Sequence, residues 1–480
     1  MSVRSNITGP FAEITVGAAS SAVVFNLPKE LLCKSSTYFT AALNNGFSET
    51  TTQRIVLDDD DPDIFRTYAV WLFQEELKRD CLDEVSRVQH HLFHLYIFAD
   101  KRGIVKLAND VVTMMASYWD EKAIDMSVTQ ECLPLVSSQC TLYRLTLDSL
   151  LLESRSAAWN EEKWEQFGRH PQDVMLELFR KERHFPGSFQ EPDECIKSIC
   201  HYHEHNGNVR EQVDCAERVE RGCNTWEYYP HGGPQQVAWE WDAVTGPIAQ
   251  VIVGLGDNIE EFSVHKKLLC DSSTYFKAAL TNGFVETRDQ KITLDDENPA
   301  IFRTFVVWLY EKKLNKETMP PSDEKEALQR HMLELYVFAD KRGIINLLND
   351  TITMLASRWA FTNVSLNNID WLFPLISHTS KLYQLLVDNV VLELQDTSEI
   401  RRRLVKGDLP RTALIDISLR RSSLPREFKA YDACFKSVCH YHLHDQQGSM
   451  SKEECIGRIE AGDNVWSSDL DCKQSKWNWD

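Results

Sequence analysis

Phe98-Ala99-Asp100-Lys101-Arg102-Gly103-Ile104 returns unchanged 240 residues later as Phe338-Ala339-Asp340-Lys341-Arg342-Gly343-Ile344. Upstream, Ser35-Ser36-Thr37-Tyr38-Phe39 returns as Ser272-Ser273-Thr274-Tyr275-Phe276 at a lag of 237. Further out, Thr8-Gly9-Pro10 and Thr245-Gly246-Pro247 open two copies, and Trp-x-Trp-Asp closes each, at 239–242 and 477–480. These lags far exceed the roughly 20–50 residues of a solenoid repeat, so each copy is expected to be a complete globular body.

Each copy begins with short strands. Ile14-Thr15-Val16-Gly17 and Val251-Ile252-Val253-Gly254 are β-branched runs ending in glycine, which predicts a strand followed by a turn. The return strand is read at Val23-Val24-Phe25 and at Glu260 to Val264. The second copy has the stronger turn, Gly256-Asp257-Asn258, against Ala18-Ala19-Ser20-Ser21. A helix is predicted from about Lys29 to Asn44, and a third strand at Arg54-Ile55-Val56-Leu57 and Lys291-Ile292-Thr293-Leu294. Asp61-Pro62 and Asn298-Pro299 put a capping side chain before a first-turn proline, the signature of a helix start. Helices are predicted over Val88 to Lys101 and Ile104 to Trp119, with Gly103 as the stop between them.

This order of elements resembles the BTB/POZ domain. The second copy carries it best: Val251-Ile252-Val253-Gly254, Phe262-x-Val264-His265-Lys266, Leu268-Leu269, Ser272-x-x-Tyr275-Phe276, Ile292-x-Leu294, Phe302 and Trp308-Leu309-Tyr310. The first copy has Pro28 where the second has His265, a change tolerated at a helix start. The acid that many members carry before the first strand is absent, with Glu13 and Gln250 near its place. The resemblance implies an α+β fold: two BTB/POZ-like domains, each a short three-stranded sheet flanked by helices and followed by a mainly helical region. The expected boundaries are 8–120 and 245–360 for the domains, and 121–242 and 361–480 for the helical regions. In those regions Leu142 to Glu153 and Leu382 to Leu394 read as helices of two to three turns. Trp159 to Arg183 shows no counterpart in Ile400 to Arg421.

Composition bounds the function. The 480 residues hold 52 Lys and Arg against 72 Asp and Glu, a net charge of −20. So acidic a surface repels phosphate backbones and argues against nucleic acid as partner. No window approaches the roughly 18 apolar residues of a membrane span. The odd count of 13 cysteines, without a signal-peptide pattern, predicts reduced thiols in the cytoplasm or nucleus.

The sharpest chemical feature is a Cys/His cluster in each copy. The first is Cys195-x4-Cys200-His201-Tyr202-His203-x-His205 followed by Cys215; the second is Cys434-x4-Cys439-His440-Tyr441-His442-x-His444 followed by Cys455. Thiolate and imidazole are the ligands of structural zinc, which takes four in a tetrahedron. Cys200, His203 and Cys215 form the core of the expected site, with His205 or Cys195 as the fourth ligand. The equivalent set is Cys439, His442, His444 and Cys455. The competing reading is buried thiols beside satisfied imidazoles. A catalytic Cys–His pair needs an oxyanion hole to which nothing in the sequence points.

Other features are weaker. Asp58 to Asp61 lacks the glycine and distal glutamate of a calcium loop, and it lies where charge favours a helix start. Trp239 with Trp241, and Trp477 with Trp479, alternate at strand spacing. In BTB adaptors of cullin ubiquitin ligases a hydrophobic-x-Glu element contacts the scaffold, and Phe47 with Glu49 and Phe284 with Glu286 match it by resemblance. No P-loop, dinucleotide-binding glycine pattern or nucleophile elbow appears. The expectation is a non-enzymatic protein-interaction molecule. It is either a substrate adaptor of a cullin-type ligase or a scaffold or co-regulator with metal-stabilised clusters and no ligase link. BTB–BTB pairing is expected within the chain or between chains, because tethering raises effective concentration to the millimolar range.

Overall fold

The computed structural model describes residues 9–79, 87–154, 199–226, 246–314, 325–362, 371–393, 411–423 and 433–466, with scattered residues between these stretches. Within them Ala19, Phe47, 206–208, Arg221, Gly283, Phe284 and Gln447 are excepted. By internal contacts the chain divides into two compact units, centred on residues 10–229 and 246–480.

In the first unit β1 (Phe11–Val16) and β2 (Val23–Pro28) form an antiparallel hairpin. Strand β3 (Arg54–Leu57) joins the other edge of β1 in parallel, giving the order β2-β1-β3. Ala12, Ile14 and Val16 alternate onto the buried face, as a two-residue period requires. The weak turn closes through Ser21 N–H donating to Ala18 O at 2.8 Å. Gly17 has φ +95°, and a Cβ there would meet Pro62 Cγ at 2.9 Å, so the chain needs glycine to pass under the following helix.

Helices α1 (Lys29–Ser35), α2 (Thr37–Asn44), α3 (Ser48–Thr52), α4 (Pro62–Gln74), α5 (Val88–Lys101) and α6 (Val105–Glu121) complete this part of the unit. The single helix expected from Lys29 to Asn44 is therefore two. Ser36 is extended (φ −139°, ψ 128°), and its Oγ accepts from Phe39 N–H at 3.1 Å, capping α2. The rings of Phe25, Phe39, Phe65, Tyr68 and Phe98 cluster with centroids 4.7 to 6.1 Å apart. Burying each is worth roughly 2–3 kcal/mol.

The two most faithfully repeated stretches of sequence meet in space. The corner between α5 and α6 is a Schellman stop, with Ile104 N–H donating to Ala99 O and Gly103 N–H to Asp100 O. Ser36 Oγ donates to Arg102 O at 2.6 Å, and the Arg102 guanidinium lies 4.3 Å over the Tyr38 ring. Asp60 pairs with Lys101 at 3.1 Å and also with Arg102. The acidic run thus does more than favour a helix start: Asp60 anchors the corner, while Asp61 caps α4 through Asp63 N–H.

The second unit repeats this scheme on its own residues. Its strands β4 (Ile248–Val253), β5 (Glu260–His265) and β6 (Lys291–Leu294) order as β5-β4-β6. Its helices are α10 (Lys266–Ser272), α11 (Thr274–Thr281), α12 (Val285–Asp289), α13 (Pro299–Glu311), α14 (Lys325–Arg342) and α15 (Ile345–Trp359). Ser273 Oγ reaches Arg342 O at 2.5 Å, and Arg342 sits 4.3 Å over Tyr275 and 2.8 Å from Glu297. One joint is rebuilt. His265 N–H donates to Tyr310 Oη at 3.2 Å, and His265 Nδ1 lies 2.7 Å from the same oxygen. The first unit has Pro28, which lacks an N–H, and Phe73, which lacks a hydroxyl.

The C-terminal segments are more regular than expected. In the first unit α7 (Met126–Cys132), α8 (Thr141–Ser154) and α9 (Val209–Glu220) follow; in the second, α16 (Lys381–Glu393), α17 (Arg411–Ser423) and α18 (Lys452–Glu460). Helices α8 and α16 run 14 and 13 residues, longer than the two to three turns read from sequence. Contrary to the sequence reading, 159–183 and 400–421 do share a feature: Glu177 accepts from Tyr143 Oη, and Asp416 from Tyr383 Oη. Around it the buried Val174 and Leu178 correspond to the buried Ala413 and Ile417, similar in type but not identical. Cys195, Trp239, Trp241, Trp477 and Trp479 lie outside the described residues.

Candidate metal centres

Both Cys/His clusters assemble. Cys200 lies in the turn Ile199–Tyr202, His203 and His205 follow outside any helix or strand, and Cys215 belongs to α9. The donor atoms of Cys200, His203, His205 and Cys215 all lie within 4.8 Å of one another, as do those of Cys439, His442, His444 and Cys455. Cys200 Sγ is 3.8 Å from Cys215 Sγ, and Cys439 Sγ is 3.8 Å from Cys455 Sγ. His203 Nδ1 lies 2.9 Å from Cys215 Sγ, and His442 Nδ1 lies 3.1 Å from Cys455 Sγ.

The outer ring atoms are held. Thr113 Oγ1 donates to Asn109 O and so accepts from His203 Nε2 at 3.0 Å. Thr353 does the same for His442 at 3.1 Å. His444 Nδ1 donates to Met450 O at 3.0 Å. The chain between the histidines is clamped by one side-chain amide. Asn109 donates to Glu204 O and accepts from Glu204 N–H, and Asn349 does both with Leu443.

Burial first, then the neighbouring His205 and Arg218, lowers His203 to about 4, so its imidazole is neutral. Burial pushes the Cys215 thiol up to about 12, with Cys200 beside it adding to the effect. In the second cluster, hydrogen bonding to Cys455 lowers Cys439, and the same contact raises Cys455.

The sequence reading left the fourth ligand open between Cys195 and His205. His205 joins the first set. In the second unit the counterpart of Cys195 is Cys434, fully buried and 3.7 Å from Tyr441 Oη rather than in the cluster. A third group, His90, His94 and Cys132, gathers three donors. In the second unit Arg330 and Glu334 replace the two histidines as an ion pair at 2.7 Å. A surface pocket lined by Asp388, Asp416, Arg420 and His440 has its charges committed internally, Arg420 to Asp388 and Tyr383 to Asp416.

Sequence reasoning missed the residues that dock each cluster helix onto its unit. Asn224 and Asn464 adopt φ +59°, and their Oδ1 atoms accept from Leu77 N–H and Leu314 N–H at 2.7 and 2.6 Å. Trp226 N–H and Trp466 N–H donate to Ser117 and Ser357, both at 2.9 Å. Arg458 forks onto Asp350 at 3.1 and 3.3 Å, whereas Arg218 lies 3.6 Å from Asp110. The signal was present as Arg-x-Glu-x-Gly-x-Asn-x-Trp at 218–226 and 458–466.

Of the hydrophobic-x-Glu elements, Glu49 and Glu286 lie in the first turns of α3 and α12. Glu49 is held below the usual carboxylate range by its backbone and Ser48 hydrogen bonds. Phe47 and Phe284 lie outside the described residues.

Comparison with known proteins identifies one part of the chain. Residues 249–339 match the BTB/POZ domain family. A BTB/POZ domain-containing protein of Arabidopsis thaliana is 25% identical over 122 residues, covering 25% of this chain and 15% of that relative. The matched part therefore spans well under two thirds of the relative's length. No solved structure matches the chain.

Proposed function

Because this chain carries a BTB/POZ domain, a protein-interaction module, we propose that it acts by holding other proteins, with two such modules in tandem. The observation that carries the tandem reading is the repetition, in the first unit, of the sheet order, the Ser36 cap and the Arg102 corner of the matched unit. That coincidence of cap, corner and strand order is expected of two descendants of one module. The proposed modules pair with each other or with a second copy of the chain. Light scattering after size exclusion separates the two, since a stable dimer of full-length chains argues against internal pairing.

The partner we propose is a cullin scaffold. Support comes from the BTB/POZ match and from Glu49 and Glu286, each at the start of a short surface helix just before the third strand. Binding of purified cullin to the full-length chain, lost on Phe284→Ala with Glu286→Lys, is the expected result. Absence of cullin binding by a correctly folded chain would overturn the ligase reading and leave a scaffold or co-regulator.

A further inference from the structure

We propose that each unit contains a structural zinc ion: one held by Cys200, His203, His205 and Cys215, the other by Cys439, His442, His444 and Cys455. This goes beyond protein binding and stands independently of which partner is held. Four arguments converge on it.

Geometry is the first. With zinc–sulfur bonds of about 2.3 Å at a tetrahedral angle, two ligand sulfurs stand about 3.8 Å apart. The two observed separations are 3.8 Å each. The same construction puts sulfur and nitrogen about 3.5 Å apart. The observed contacts of 2.9 and 3.1 Å are a few tenths of an ångström tighter, so binding requires only a small outward adjustment.

Hydrogen bonding is the second. In a metal-free cluster a thiol proton can satisfy His203 Nδ1 or His442 Nδ1. That still leaves His205 Nε2, a buried atom with no hydrogen-bond partner on a residue only 8% exposed. Such an orphan costs about 1–3 kcal/mol. A cation in the centre removes the cost.

The third is the orientation of the rings. Thr113, Thr353 and Met450 O each take the N–H of one ring nitrogen, which fixes the tautomer and leaves the other lone pair facing the cluster. Metal-bound histidines are held in this way. Charge is the fourth. Two thiolates and two neutral imidazoles neutralise a divalent cation, so the filled site can be buried without an uncompensated charge. Binding forms two metal–sulfur and two metal–nitrogen bonds and releases the thiol protons to solvent.

Zinc suits a mixed sulfur and nitrogen tetrahedron. Four protein ligands leave no open position, so the role is structural. Each ion ties the Cys-x2-His-x-His segment, a short turn and the residues after it, to α9 or α18, the helix that also carries Arg218 or Arg458.

The test is metal analysis of the full-length chain purified under reducing conditions. About two zinc ions per chain are expected, about one for Cys455→Ser, and none for Cys215→Ser with Cys455→Ser. Cys434→Ser, outside the ligand set, should retain two, and His444→Cys should retain two by supplying another thiolate. Should the serine variants not fold, the parent protein still decides: cobalt(II) substitution should give intense tetrahedral d–d bands with thiolate charge transfer. Less than a fifth of an ion per chain with all thiols reduced, an octahedral cobalt spectrum, or a Cys200–Cys215 disulfide in place of metal would each overturn the proposal.

Discussion

Replacing Gly343 by alanine is expected to destabilise the second unit by about 2–3 kcal/mol, through two separable causes. Gly343 sits at φ +62°, where a side chain costs roughly 1–2 kcal/mol. The added Cβ would also stand 2.4 Å from Thr274 Oγ1, forcing that side chain from its rotamer at a cost of about 1 kcal/mol. Thr274 is exposed, so Thr274→Ala alone should change stability by less than about 0.5 kcal/mol. In the double variant the clash disappears and the backbone strain stays, which predicts a coupling of about 1 kcal/mol in the cycle. Hydrogen exchange read on peptides from α14 and α15 measures the loss in the second unit alone. A Gly343→Ala protein within 0.5 kcal/mol of the parent, or one equally damaged with and without Thr274, would refute the reasoning. The first unit supplies a replicate, since a Cβ on Gly103 would meet Thr37 Oγ1 at 2.2 Å.

Three further outcomes are expected. Tyr310→Phe removes the hydroxyl that accepts from the buried His265 N–H and contacts His265 Nδ1, and should cost about 1–3 kcal/mol. His265→Pro with Tyr310→Phe, the pairing of the first unit, should cost less than the sum of the single changes in denaturant titrations. Arg458→Ala leaves Asp350 as a buried unpaired charge and should cost about 3–5 kcal/mol, while Arg218→Ala, whose ion pair is longer and wetter, should cost less by the same assay. Burial raises Glu393 from 4.5 to about 7, against a smaller opposing effect of Val364 N–H. Its contribution to stability is therefore fully present below pH 4.5, and it falls as the unfolded chain ionises while the native chain stays protonated. It is gone above pH 7. The advantage of Glu393→Gln over the parent should grow by about 3 kcal/mol between pH 4.5 and 8, and a flat difference would contradict the shift.

Sheet, capped helices and the α5–α6 corner were legible because strict local rules act there. The alternation of Ile14 and Val16, the Asp61-Pro62 start and the glycine stop each need particular residues. The SSTYF and FADKRGI stretches repeat intact because each is the other's contact surface. The break at Ser36 was missed since the apolar period runs through it, and only the distant Arg102 carbonyl shows why that serine turns. Cluster ligands could be read as residue types, but that His444 joins the second set while Cys434 packs against Tyr441 required the third dimension. Asn109 and Asn349 escaped notice because a lone asparagine in an amphipathic helix looks like surface. The Glu177 and Asp416 equivalence was missed because Val174, Glu177 and Leu178 match Ala413, Asp416 and Ile417 in type and burial but not in identity.

The rebuilt joint between the start of α1 or α10 and the end of α4 or α13 limits how the halves can be recombined. A chimera with a crossover between positions 28 and 73 would join Pro28 to a tyrosine or His265 to a phenylalanine. One product buries a hydroxyl facing a ring that offers nothing; the other buries an imidazole and an amide facing bare carbon. No single substitution at either position crosses that gap cheaply. Exchanging a short tract across this joint therefore costs stability in either direction, so the two units are not interchangeable piece by piece.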